Sequence, residues 1–215
     1  MRELHMKKNK KIKELILNNI YENIKSYLIV IIIFIIGIVA GIIFINNTNE
    51  TQSTEIKGYI NNFIDALRQD KNIDRTQLLT KSLKDNLILI ISLWFIGSTI
   101  IGIPIVFGII FFRGFCLGYT ASAIIGTLGI QKGLIFLVST TFFQNIIFIP
   151  VIICMSVSCI KLYKSIMKDK RRENIKLEII RHTFVSVILL ICLILSSLIE
   201  VYISSNLLTI FIKYL

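Results

Sequence analysis

Histidine, proline and tryptophan are scarce in this 215-residue chain, which holds two, two and one of them. The shortage of histidine excludes most metal and acid-base chemistry at once. His5 and His182 lie far apart, each beside a basic block, and neither has a second histidine or a Glu-x-x-His partner at ligand spacing. The four cysteines, Cys116, Cys154, Cys159 and Cys192, form no Cys-x-x-Cys pair and fall in apolar segments, so they read as small buried hydrophobes. A Walker A loop is absent, as are the aspartate pair and the serine–histidine pair of an intramembrane protease. The expectation is a chain that is not an enzyme and that uses no cofactor and no metal.

Charge is also thin, at 17% of residues against roughly a quarter in ordinary soluble domains. From Leu87 to Leu162 only Arg113, Lys132 and Lys161 are charged. The chain is 54% hydrophobic with a mean hydropathy of +0.76, which marks an integral membrane protein. Its formal net charge of +11 comes from lysines and arginines that flank apolar runs, so it speaks for topology and against nucleic acid.

Spans and loops follow from these runs. Residues 1–26 pair a basic cluster with Ile12, Leu15, Ile16, Ile20 and Ile24 on one helical face, predicting a cytoplasmic basic amphipathic helix. Spans are expected at 27–45, 87–103, 105–128, 134–160 and 183–203, each near the ~20 residues that cross the hydrocarbon. Gly102 and Pro104 are expected to break the chain between the second and third, because proline lacks the amide proton and restricts the residue before it. A short turn is expected at 129–133, and a turn at 204–206 should leave 204–215 as an outward tail.

Lysine and arginine decide the sides. The 46–86 loop holds six basic and six acidic residues, whereas 161–182 is strongly basic. The latter and the N-terminus are therefore placed in the cytoplasm and the former outside. The fold class is thus all-α, a polytopic membrane protein with five transmembrane helices and interfacial amphipathic helices, forming a single membrane domain over 1–215. Inside the outer loop Ile56, Tyr59, Ile60, Phe63, Ile64 and Leu67 repeat with helical spacing, and Ile60, Phe63, Ile64 and Leu67 are the candidate partner surface.

Two small-residue patterns mark helix packing: Gly37 with Gly41, and Gly114, Gly118, Ser122 and Gly126 at every fourth position. The longer stripe suits internal packing or the seam of a homo-oligomer. Polar groups at membrane depth are Arg113, Gln144, Asn145 and Glu200. The simplest reading has Arg113 snorkelling, Gln144 and Asn145 bonding between helices, and Glu200 near the interface; a coupling or conduction site is the alternative.

Taken together, Ile101–Val106, Arg113–Thr120, Phe143-Gln144-Asn145 with Pro150, and Leu198–Ser204 resemble the stage II sporulation protein M family over nearly the whole chain. Members often have proline before the Gln-Asn pair, where Phe143 stands here. The resemblance implies a non-catalytic scaffold of the engulfment machinery of a Gram-positive spore former, seated in the septal membrane. Its implied partners are two sporulation peptidoglycan hydrolases, an amidase/endopeptidase and a lytic transglycosylase, besides the lipid bilayer. The alternative is a permease-like subunit of an ATP-driven exporter, whose basic segment with Arg171 and Arg172 would meet the ATPase.

Overall fold

The computed structural model describes residues 21–68, 75–99, 101–168 and 172–212. Every element among them is helical: α1 (Ile24–Asn46), α2 (Glu50–Arg68), α3 (Arg75–Gly97), α4 (Gly102–Leu128), α5 (Ile130–Leu137), α6 (Phe143–Lys168), α7 (Arg172–Ile199) and α8 (Ser205–Ile212). Two π-helical turns, Val138–Phe142 and Glu200–Ser204, join α5 to α6 and α7 to α8 without interrupting the helices. Four runs are long and apolar enough to cross a membrane: Ile24–Asn46, Gly102–Leu128, Ile130–Met167 and Ile175–Leu208.

The second expected span, 87–103, is not a single helix. α3 begins at Arg75, in charged sequence, and stops at Gly97, so only its second half is free of charge. The chain turns at Ser98 and Thr99, and the Gly102 amide bonds the Thr99 carbonyl at 3.2 Å. The helix break therefore lies before Gly102-Ile103-Pro104 and not on it: Gly102 opens α4, and Pro104 stands in the first turn. Amides there have no intrahelical acceptor, so proline's missing donor costs nothing.

Cross-bundle contacts give the helix directions. On α1 and α4, Phe34 faces Gly114, Ile38 faces Gly118 and Asn46 meets Ser122, so the two helices run parallel. α7 runs against α6, with His182 near Ser158 and Ser196 near Gln144. It also runs against α3, where Ser197 meets Ser82 and Thr183 meets Trp94. Lys164, late in α6, reaches Ser26 at the start of α1, so α6 opposes α1. α1, α4 and α7 thus point one way, and α3 and α6 the other.

α1 and α4 make the most extensive helix pair. The buried residues of α1 are Ser26, Val30, Phe34, Gly37 and Gly41, and α4 answers with Gly102, Val106, Ile110, Gly114 and Gly118 at every fourth residue. A Cβ on Gly37, Gly41, Gly114 or Gly118 would meet backbone of the other helix inside 3.0 Å. In each case the nearest atom is a carbonyl oxygen, the arrangement of weak Cα–H···O contacts at close helix crossings. Ser122 extends the seam, donating to Asn46 at 3.3 Å. Gly126 does not belong to it, because α1 has ended by that level and none of the described residues lies within 4 Å of a Cβ there. Gly97, opposite Cys159, is a packing glycine that its isolated position in the sequence conceals.

The remaining loops are shorter than expected. The turn foreseen at 129–133 contracts to Gly129, whose φ of 80° and ψ of 166° suit glycine alone, and α5 starts at Ile130. The basic loop foreseen at 161–182 is largely helix, because α6 runs on to Lys168 and α7 begins at Arg172. Lysine and arginine are good helix formers, and a helix is free to continue past the bilayer. No turn interrupts 204–206: the π turn passes directly into α8. The helix expected over 1–26 lies outside the described residues except for its last turn.

At the end of the bundle opposite Lys164, α2 folds over α4, α5 and α8. Ile64 is buried there with Ile124, Phe136 and Leu208, and Ile60 and Leu67 pack against the same cluster. Arg75 donates to Asn206 at 2.7 Å and ties the start of α3 to α8. The four residues read as one partner surface are therefore divided: Ile60, Ile64 and Leu67 serve the chain's own packing, while Phe63 is 46% exposed and its neighbour Tyr59 is 77% exposed.

Candidate functional site, a charged cavity within the bundle

The two π turns lie against one another. Each widens its helix by one residue in the turn and re-aims the side chains around it. Around the first, polar side chains take up the loosened backbone: Ser139 donates to the Ile135 carbonyl, Thr140 to that of Phe136 and Asn145 to that of Thr141, each at 2.8 Å. Asn145 thus bonds its own helix instead of bridging two. Gln144 does bridge, donating to the Glu200 carboxylate at 2.7 Å.

Glu200 belongs to an interhelical network. It accepts from Gln144 on α6 and from the Ser82 hydroxyl on α3. Ser82 lies 3.0 Å from Ser197, and Ser197 accepts from Asn86 at 2.8 Å. Three helices are thereby tied by side-chain hydrogen bonds. Ser82, Asn86 and Ser197 are all buried. None announces itself in the sequence, because serine and asparagine sit in polar and apolar helices alike.

Arg113, Gln144, Asn145 and Glu200 all line one half-open cavity of about 360 Å³ between α1, α3, α4 and α6. Lys81 and Asp85 on α3 join them, with Phe34, Phe148 and Ile152 among the apolar wall. Gly114, next to Arg113, faces Phe34 near the middle of α1, so the guanidinium starts from mid-depth. It lies over the Phe148 ring, 5.2 Å from its centroid. Among the described residues it has no ion-pair partner and no hydrogen-bond acceptor.

His182 is buried between α6 and α7, with Nδ1 2.8 Å from the Ser158 hydroxyl. Its other ring nitrogen has no partner among the described residues. Cys159 is fully buried and Cys116, Cys154 and Cys192 partly so, all as free thiols. No group of three or more histidines, cysteines or acids stands close enough to hold a metal ion among the described residues.

Comparison with curated proteins and with solved structures returned no match. A family model, that of stage II sporulation protein M, matches residues 30–205. That stretch takes in the α1–α4 seam, the charged cavity and both π turns. The membrane helices and the sporulation motifs therefore meet in one molecule, and the chain belongs to the stage II sporulation protein M family.

Proposed function

We propose that this protein is a non-catalytic membrane scaffold of sporulation, which recruits an amidase/endopeptidase and a lytic transglycosylase to the septal membrane during engulfment. The observation that carries the reading is α2. It stands at the end of the bundle opposite the basic segment, is held down by Ile60, Ile64 and Leu67, and turns Tyr59 and Phe63 away from the core. With the basic segment and the N-terminus in the cytoplasm, α2 lies outside, where wall enzymes work. On this reading α3 completes a five-crossing topology, with Ser82 and Asn86 of its polar first half buried against α7 and its apolar half beginning at Leu87.

The test replaces Tyr59 and Phe63 together with aspartate and measures co-purification of both hydrolases and completion of engulfment. Loss of both, with the protein still present in the membrane, is expected. Full recovery of both hydrolases would remove this surface from the proposal. A permease-like subunit is the second reading, favoured by the charged cavity at membrane depth. An ATPase that co-purifies, and is lost on replacing Arg171 and Arg172, would establish it. Arg171 and the Arg172 side chain lie outside the described residues.

A further inference from the structure

The charged cavity lies outside the recruitment surface proposed above, and its groups are incompletely matched. Glu200 is held by Ser82 and Gln144, whereas among the described residues the Arg113 guanidinium has an aromatic face but no ion pair or hydrogen bond, and Asp85 and Lys81 form no ion pair. A guanidinium drawn partly out of water on an apolar helix is costly without a partner, so Arg113 facing an open cavity calls for an acceptor from outside the chain. Two cations, Lys81 and Arg113, stand against two acids, Asp85 and Glu200. An occupant with no net charge keeps that balance, provided its negative group meets the guanidinium and its positive group meets Asp85.

The volume, about 360 Å³, is within the range of small-molecule sites. Phe34, Phe148 and Ile152, all buried, make an apolar inner wall, and the half-buried Leu117, Ile149 and Ile153 continue it. A guanidinium fork matches a phosphate, and a carboxylate matches an ammonium. We propose that the cavity holds the head group of a zwitterionic, amine-bearing phosphodiester lipid, its phosphate on Arg113 and its ammonium on Asp85, with an acyl chain along the apolar wall. The site is independent of hydrolase recruitment and is tested without it.

The full chain in a mild non-ionic detergent is incubated with dioleoyl phosphatidylethanolamine, phosphatidylglycerol or diacylglycerol, and retained lipid is counted by native mass spectrometry. One phosphatidylethanolamine per chain is expected, at least about tenfold preferred over phosphatidylglycerol, with no diacylglycerol retained. Arg113→Gln should abolish retention and Arg113→Lys keep part of it. Asp85→Asn should retain lipid but lose the preference for phosphatidylethanolamine, a change that misfolding does not produce. Displacement by millimolar phosphoethanolamine would support the same chemistry with a soluble source. Equal retention of phosphatidylethanolamine and diacylglycerol would overturn the proposal. So would a thermal destabilisation of each single variant, in lipid-free detergent, that the double variant reverses, because the two groups would then be an internal pair.

Discussion

Replacing Gly41 with alanine tests the α1–α4 seam, and its effect is calculable from the contacts. The new methyl would meet the Phe115 carbonyl oxygen and, at 2.7 Å, the Tyr119 amide nitrogen. Both are backbone atoms of a long helix, so relief requires the helices to separate. Overpacking of this kind costs typically 1–3 kcal/mol. Alanine also recovers about 0.8–1.0 kcal/mol of helix propensity, which partly hides the cost. Gly108→Ala removes that ambiguity: it lies inside α4, none of the described residues stands within 4 Å of its Cβ position, and it receives the same propensity gain. The difference between the two variants isolates the steric term, about 1–3 kcal/mol. For a chain of this length that is roughly 2–12 °C in melting temperature. Thermal unfolding of both in one detergent, followed by the fluorescence of Trp94, measures it. A Gly41→Ala protein melting at or above Gly108→Ala would show that the helices do not touch where we place them.

Glu200→Ala strands the Ser82 hydroxyl and the Gln144 amide, and at about 0.6 to 1.7 kcal/mol per interhelical hydrogen bond it should destabilise by about 1–3 kcal/mol. Glu200→Gln keeps one acceptor and should lose less, so equal melting points for the two would refute the network. Gly129→Ala forces a side chain into a backbone region that glycine alone tolerates and should cost about 1–3 kcal/mol, whereas Pro104→Ala, in the first turn of α4, should be nearly silent. Thermal scans of this pair would reverse their order if the turn at Gly129 were misplaced. Single cysteines at Lys57 and Lys176 should be tagged by a membrane-impermeant maleimide from outside and only after lysis, respectively; the opposite pattern would invert the topology and place α2 away from the wall.

The helical character, the sporulation family and the glycine pairs Gly37/Gly41 and Gly114/Gly118 are legible in the sequence, because composition and four-residue spacing report directly on one helix at a time. What is not legible depends on where another helix ends. Gly126 continues the spacing but not the contact, since α1 stops opposite Ser122. Leu87–Ile103 looks continuous in hydropathy, yet local hydrogen bonds at Ser98 and Thr99 close α3 early and leave Pro104 a harmless place. The periodic apolar face of α2 was visible, but not whether it covers the chain itself or another protein; three of its four residues turn inward. Arg113 and Glu200 each show as an isolated charge on its own helix. Only packing puts them on one cavity, with Asp85 and Lys81 arriving from a helix whose charges look, in sequence, like those of a surface loop.

The paired π turns let the bundle absorb a change in chain length at two places. Each holds one residue more than an α turn for nearly the same rotation and rise, so deleting one residue within Val138–Phe142 would restore an ordinary helix with both flanking segments in phase. Gln144 would still meet Glu200, whereas the same deletion in the α-helix on either side would swing it away by about 100°. Single-residue length variation among sister proteins should therefore gather in Val138–Phe142 and Glu200–Ser204 and spare the helices that flank them.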